Sequence, residues 1–288
     1  MAEHIQKLKH RIKSITSTDR VINAMKLVSA AKLRRARNVY EHSQQYLQRI
    51  IKSLEESFDA IAYLPKEYKV GSREIKNTGV IVITGSTGFC GSFNNNVVKK
   101  AESLVASKAD KPKVVTIGTK GRDSLRHRGW NIVYTHDKPA DEVTYDECKE
   151  MAQVMIDGYR SGDVDEIYIV YTSYVNALTQ EPVAKRILPI DLDEHNRELN
   201  KNLLVEYDPS PSEVFEYMVE KYLEMWLFSA SIESAACEHA ARRTTMENAS
   251  KNTDDMLQDL HVRFNHARQA QITNQLIEIV SGSEAQNN

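Results

Sequence analysis

The stretch ITGSTGFCGSFNNN, residues 83–96, is where residue types and spacing come nearest to a chemical site. It follows the apolar run Val80–Val82, carries glycines at 85, 88 and 91, and leads into Val97 and Val98. A strand, a glycine-rich turn and a helix start, in that order, let a backbone approach a phosphate and offer it helix N-terminal amides. The corresponding chemistry is dinucleotide binding. A short-chain-dehydrogenase-like NAD(P) enzyme would add a Tyr-x-x-x-Lys pair, and two occur: Tyr145/Lys149 and Tyr217/Lys221.

The companions of such a site are missing. A ribose hydroxyl wants a carboxylate at the end of the second strand. After Val114–Ile117 come Gly118, Thr119, Lys120, Gly121 and Arg122, whose cations suit only a 2′-phosphate. Neither stretch preceding a Tyr-Lys pair, NIVYT or LLVE, supplies a catalytic serine, and 13 tyrosines in a lysine-rich chain produce such pairs by accident. The expectation is a structural turn built on Gly85, Gly88, Cys90 and Gly91, with Cys90 packed near it and no cofactor. Cys90, Cys148 and Cys237 lack paired spacing, and His239, His261 and His266 lack the neighbours of a metal site. No nucleophile, base and orienting acid assemble, so no catalytic residue is assigned.

The basic stretch KLVSAAKLRRAR (26–37) could contact phosphates, as in a basic coiled-coil nucleic-acid-binding protein. Aromatics are absent between Met1 and Val39, so no stacking platform accompanies the charge and nucleic acid is not expected. The charge is nevertheless uneven. Residues 1–50 hold eleven Lys/Arg against three Asp/Glu, a net of +8, within a total of −2. A basic arm of that kind needs an acidic surface to meet.

The elements that carry these residues follow from the punctuation. Neither glycine nor proline occurs between Met1 and Leu64, nor between Ser212 and Ser281. Both ends read as very long helices, over 1–65 and 211–282, with Pro211 at a natural first turn and Gly282 at a natural stop. At about 1.5 Å per residue, such helices are rods on the order of 90–105 Å. A seven-residue frame from Ile5 and Leu8 to Ile61 and Leu64 gives a coiled-coil seam, with polar Asp19, Lys26 and Ser29 interrupting it. The C-terminal helix carries a looser stripe, including Met218, Met225, Ile232, Met246, Leu260, Phe264, Ile272, Leu276 and Ile277. Between the helices, residues 75–207 alternate strand-like runs (80–84, 114–117, 131–134, 166–171, 183–189) with helical stretches near 94–107, 120–128 and 144–160. That order predicts an inserted Rossmann-like α/β domain with a mainly parallel sheet. No stretch approaches about eighteen uninterrupted apolar residues, so no membrane insertion is expected. The N-terminus lacks a secretory h-region.

Three blocks then resemble one family, the γ subunits of F-type rotary ATP synthases. They are IKSITSTDRVINAMKLVSAAKLRRAR (12–37), the glycine–cysteine loop (83–96), and ESAACEHAARRTTMENASKN (233–252) with FNHARQAQITNQLIEIVSG (264–282). The resemblance implies that the terminal helices form a long antiparallel coiled coil entering the ring of α and β subunits. It implies that the α/β domain forms the foot, beside the ε subunit and the membrane c-ring. The chain would then be a non-catalytic central-stalk rotor, peripheral to the cytoplasmic face of a bacterial cell membrane (or the matrix side in a mitochondrion). It would couple ion flow to cycling of the catalytic β subunits. By matching positions, the rotor contacts to β and α are Met25, Lys26, Lys32, Arg34, Arg35, Arg242, Arg268, Gln269, Thr273 and Glu278. Two departures stand out: Ser86-Thr87 replaces the family's Asp-Arg, and Gln275 replaces a family glutamate.

Overall fold

The structure is a computed structural model, and it describes residues 2–60, 68, 74–106, 108, 112–176, 179–190 and 207–286. Helix α1 spans Ala2–Ala60 and helix α5 spans Pro211–Gln286. Between them lie β1 (Thr78–Ile83), α2 (Phe93–Ala106), β2 (Lys113–Ile117), α3 (Thr119–His127), β3 (Asn131–His136), a 3-10 turn (Ala140–Glu142), α4 (Tyr145–Arg160), β4 (Glu166–Tyr174) and β5 (Gln180–Leu188). The chain divides into two compact units: Met1–Ser29 with Arg242–Asn288, and Ala30–Ala241. Thus 30–60 and 211–241 belong to the same unit as the sheet, not to a separate shaft.

The sheet runs β3-β2-β1-β4-β5. Its first four strands are parallel, and β5 returns antiparallel to β4, with Tyr171 opposite Val183. A strand buried on both faces reads as an unbroken apolar run, which is why β1 is TGVIVI with all six residues buried. Side chains alternate across it. Val80 and Val82 join Val97, Val98, Ala101 and Leu125 in a core beneath α2 and α3. Ile81 and Ile83 point the other way, into a larger core with Met151, Met155, Leu47, Leu54, Phe215 and Leu223. Helix α4 opens with a capping box, Thr144 and Glu147 each closing on the other's backbone.

Every seam position of the frame from Ile5 to Leu54 is buried or half-buried, whereas Ile61 and Leu64 lie outside the described residues. The polar seam residues are not a bare gap. Thr253 donates to Asp19 Oδ1 at 2.9 Å, Asn23 to Asp19 Oδ2 at 3.0 Å, and Ser250 reaches Asn23 Oδ1 at 3.4 Å. Ser29 returns its hydroxyl to Met25 O. In the sheet-bearing unit, Ser43 and Gln44 meet Ser229 Oγ at 3.4 and 2.9 Å. Asp19–Thr253 gives way to Asn23–Ser250 in one unit and Tyr40–Glu233 to Gln44–Ser229 in the other, so in each the helices pair antiparallel.

Two expectations for α5 need correction. Gly282 does not stop the helix, which continues to Gln286; a lone glycine costs only about 1 kcal/mol in a helix and terminates nothing by itself. Ile272, Leu276 and Ile277 do not continue the seam, because they are exposed together with Ile279 and Val280. At the other end the expectation is met: Pro211 opens the helix, and Ser210 exchanges hydrogen bonds with Glu213.

Candidate functional site

In an open α/β sheet, ligands bind outside the carboxyl ends of the strands, where the strand order reverses. Here the chain runs outward through β1, β2 and β3 and then returns to place β4 on the other side of β1, so the reversal falls between β1 and β4. The glycine loop flanks it. Gly85 N donates to Asn94 Oδ1 at 2.8 Å, Thr84 N to Ile117 O, and Lys120 N to Gly85 O. Gly91 and the exposed Phe89 both sit at φ 60, which makes the turn tight and puts a bulky residue in the left-handed region. Cys90 is buried with Phe93 and Cys237, the latter contributed by α5.

The glycines differ in their roles. A Cβ at Gly85 would stand 2.7 Å from the Glu238 carboxylate, whereas one at Gly88 would meet nothing within 4 Å. Two glycines carry constraints that the sequence reading did not assign. Gly118 has φ 87, and a Cβ there would lie 2.1 Å from Thr84 O; one at Gly121 would lie 2.6 Å from Thr84 Oγ1.

What fills the crevice comes from the chain itself. Ser231–Ala240 is buried on every side of α5, and it contains Glu233, Glu238 and His239. Glu233 Oε1 accepts from Ser173 Oγ and Tyr174 N, both at 2.8 Å. Burial raises the Glu233 pKa, while those donors and the hydroxyls of Tyr40 and Tyr171 oppose the rise. On the adjoining side, Asp141 Oδ2 lies 2.9 Å from Lys32 Nζ and 3.3 Å from His239 Nε2. Burial works against the Asp141 charge, but the adjacent His239 and the hydrogen bond from Lys32 outweigh it and hold the carboxyl well below the usual range.

Both dehydrogenase-like tyrosines meet Lys221, which is tied to a buried carboxylate. Tyr145 donates to the buried Glu224 carboxylate, which also takes Lys221 Nζ at 2.6 Å. Lys221 lies over the rings of Tyr145 and Tyr217. Burial and the Glu224 carboxylate raise the Tyr145 pKa, the opposite of what a catalytic tyrosinate requires. Arg122, a candidate for a 2′-phosphate, is engaged by Asp123 and Asp137.

The ten candidate rotor contacts separate by exposure. Met25 and Lys26 are half-buried on α1, and Arg34 and Arg35 are exposed on it. Lys32 is turned to Asp141 and Glu142. Arg242 is only 6% exposed and so does not present its side chain outward. Arg268, Gln269, Thr273 and Glu278 are all exposed on α5, on the stretch where Ile272, Leu276, Ile277, Ile279 and Val280 are also exposed. That combination of apolar and polar exposure went unread in the sequence, where Ile272, Leu276 and Ile277 fit a seam.

The family model described as "ATP synthase" matches residues 4–286. The ATP synthase gamma chain of Pelotomaculum thermopropionicum is 38% identical over 283 residues, covering 98% of each chain. The chain belongs to the ATP synthase gamma-chain family. Another relative, the sodium-ion-specific ATP synthase gamma chain of Acetobacterium woodii, is 33% identical over 311 residues, with all of both chains covered. Among solved structures, a rotor chain of Euglena gracilis mitochondrial ATP synthase superposes with a TM-score of 0.65 at 18% identity, over 94% of this chain and all of that one. A central-stalk/c-ring structure from Tetrahymena thermophila gives 0.63 at 22% identity, over 80% and 99%. For a gamma chain, the filled crevice is intelligible: the α/β unit keeps a ligand-binding topology but occupies it with its own helix. Only the small residues of Ser231–Ala240 hint locally at close packing, while its two glutamates and histidine read as exposed.

Proposed function

We propose that this chain is the central-stalk rotor subunit of an F-type ATP synthase, coupling ion flow through a membrane c-ring to conformational cycling of the catalytic β subunits. The observation that carries this reading is the family match from residue 4 to residue 286, which includes both terminal helices and the inserted sheet. The chain makes and breaks no bond itself. Its partners are the α and β subunits around the helices, with the ε subunit and the c-ring at the sheet-bearing unit. No described helix is long and apolar enough to cross a membrane. As a rotor subunit the chain sits peripherally in the stalk, on the cytoplasmic face of a bacterial cell membrane.

The contact surface has two chemistries. Arg34 and Arg35 form a basic face for acidic β-subunit loops, and Lys26 is a further cation of the same helix. Charge attraction tolerates sliding better than close apolar packing does, which suits a partner that presents three successive faces. The end of α5 offers exposed apolar side chains interleaved with Arg268, Gln269, Thr273 and Glu278, a surface for the upper ring. Lys32 acts one step back, tying α1 to Asp141 and Glu142, and Arg242 is buried rather than presented outward. Reconstitution with α and β subunits tests the reading: assembly and rapid ATP hydrolysis are expected, and a chain that supports neither overturns it.

A further inference from the structure

We infer that Glu233 and Glu238 are built-in ligands of the crevice between β1 and β4, and that they fix the rotational setting of the α/β sheet on α5. The inference rests on the rotor reading, because fixing that angle matters where torque passes between sheet and helix. Four observations carry it. The crevice lies where this topology places ligands, between the loop after β1 and the end of β4. Glu238 approaches Gly85 so closely that no larger residue fits there. Glu233 is bound at the end of β4 through a side-chain hydroxyl and a backbone amide. Both carboxylates are only 3% exposed.

Cys237, between them in sequence, packs on Cys90 and Phe93 of the glycine loop. Within two turns, α5 therefore grips both strands flanking the crevice. Apolar packing alone permits neighbouring elements to slip in small steps. Glu233, held by directed donors from Ser173 and Tyr174, has one satisfied arrangement, and displacing it strands both the carboxyl and its donors. Two carboxylates in a phosphate's usual place also repel an anionic ligand, so the crevice holds the helix and not a nucleotide. Glu233 and Glu238 are positioning residues: they touch no reacting atom.

The test uses Glu233→Gln and Glu238→Gln together, which preserve size and remove charge. In the full-length chain alone, maleimide labelling of Cys90 and Cys237 reads the grip directly. Wild type stays protected, and the double variant labels about tenfold faster. In the reconstituted synthase in vesicles, the double variant is expected to hydrolyse ATP within about twofold of wild type but pump about threefold fewer ions per ATP. Unchanged labelling together with unchanged pumping per ATP overturns the proposal. Should the double variant fail to fold, Glu233→Gln and Glu238→Asp singly decide the matter by the same two measurements, and wild-type values in both variants sink it. Failure of the wild-type chain to assemble would count against the rotor reading alone, because the labelling arm needs no partner.

Discussion

At the scale of single residues, the glycine loop separates constraint from coincidence. Gly85 faces the Glu238 carboxylate and Gly88 faces open space, so the two should respond differently to the same added methyl. Gly85→Ala is expected to lower unfolding stability by about 1–3 kcal/mol, and Gly88→Ala to stay within about 0.5 kcal/mol; urea titration of the full chain distinguishes them. Asp141 offers a pH signature. Its ordinary value is 3.8, and the Lys32 hydrogen bond together with the neighbouring His239 holds it lower in the fold. The ionised form is therefore the one the fold prefers, so its stabilisation is complete above the unfolded-state value and fades as pH falls through the folded one. Asp141→Asn should cost about 2 kcal/mol near neutral pH. The gap to wild type should narrow as pH drops from about 4 toward 2; a gap independent of pH would refute this role.

At the scale of elements, what the sequence disclosed depended on whether the signal was local. The absence of glycine and proline between Ser212 and Ser281 identified α5, and unbroken apolar runs identified the buried parallel strands, with ends within a few residues. The filled crevice was not legible, because Glu233 meets Ser173 and Tyr174 some sixty positions earlier and no local pattern reports such a meeting. The same holds for the sheet-bound parts of α1 and α5: heptad spacing marks a buried stripe but not what buries it. Asp19 illustrates this, since it read as a defect in the seam and is in fact an acceptor for Asn23 and Thr253. Asp19→Ala is expected to destabilise the Met1–Ser29 unit by about 1–2 kcal/mol by orphaning those donors. Faster amide hydrogen exchange confined to residues near 15–27 and 246–257 would show it; uniform exchange across the chain would argue otherwise.

At the scale of the whole molecule, the outward surface is where the rotor reading is exposed to test. Met25→Lys places a second cation beside Lys26 at a half-buried site, and the expected result is a synthase that assembles but pumps about twofold or more fewer ions per ATP. Equal pumping in mutant and wild type would count against the assignment of that contact. Ile279→Asp alters an exposed apolar side chain. It should leave the chain's own unfolding unchanged and weaken association with α and β about tenfold. The burial of Cys90, Cys148 and Cys237 has a different consequence. Burial pushes the Cys148 thiol up to about 12 and raises that of Cys237 as well, so hardly any thiolate is present at neutral pH to meet an oxidant. Such a stalk is deaf to the redox state of its surroundings: peroxide that silences exposed-thiol enzymes should leave its rotation untouched.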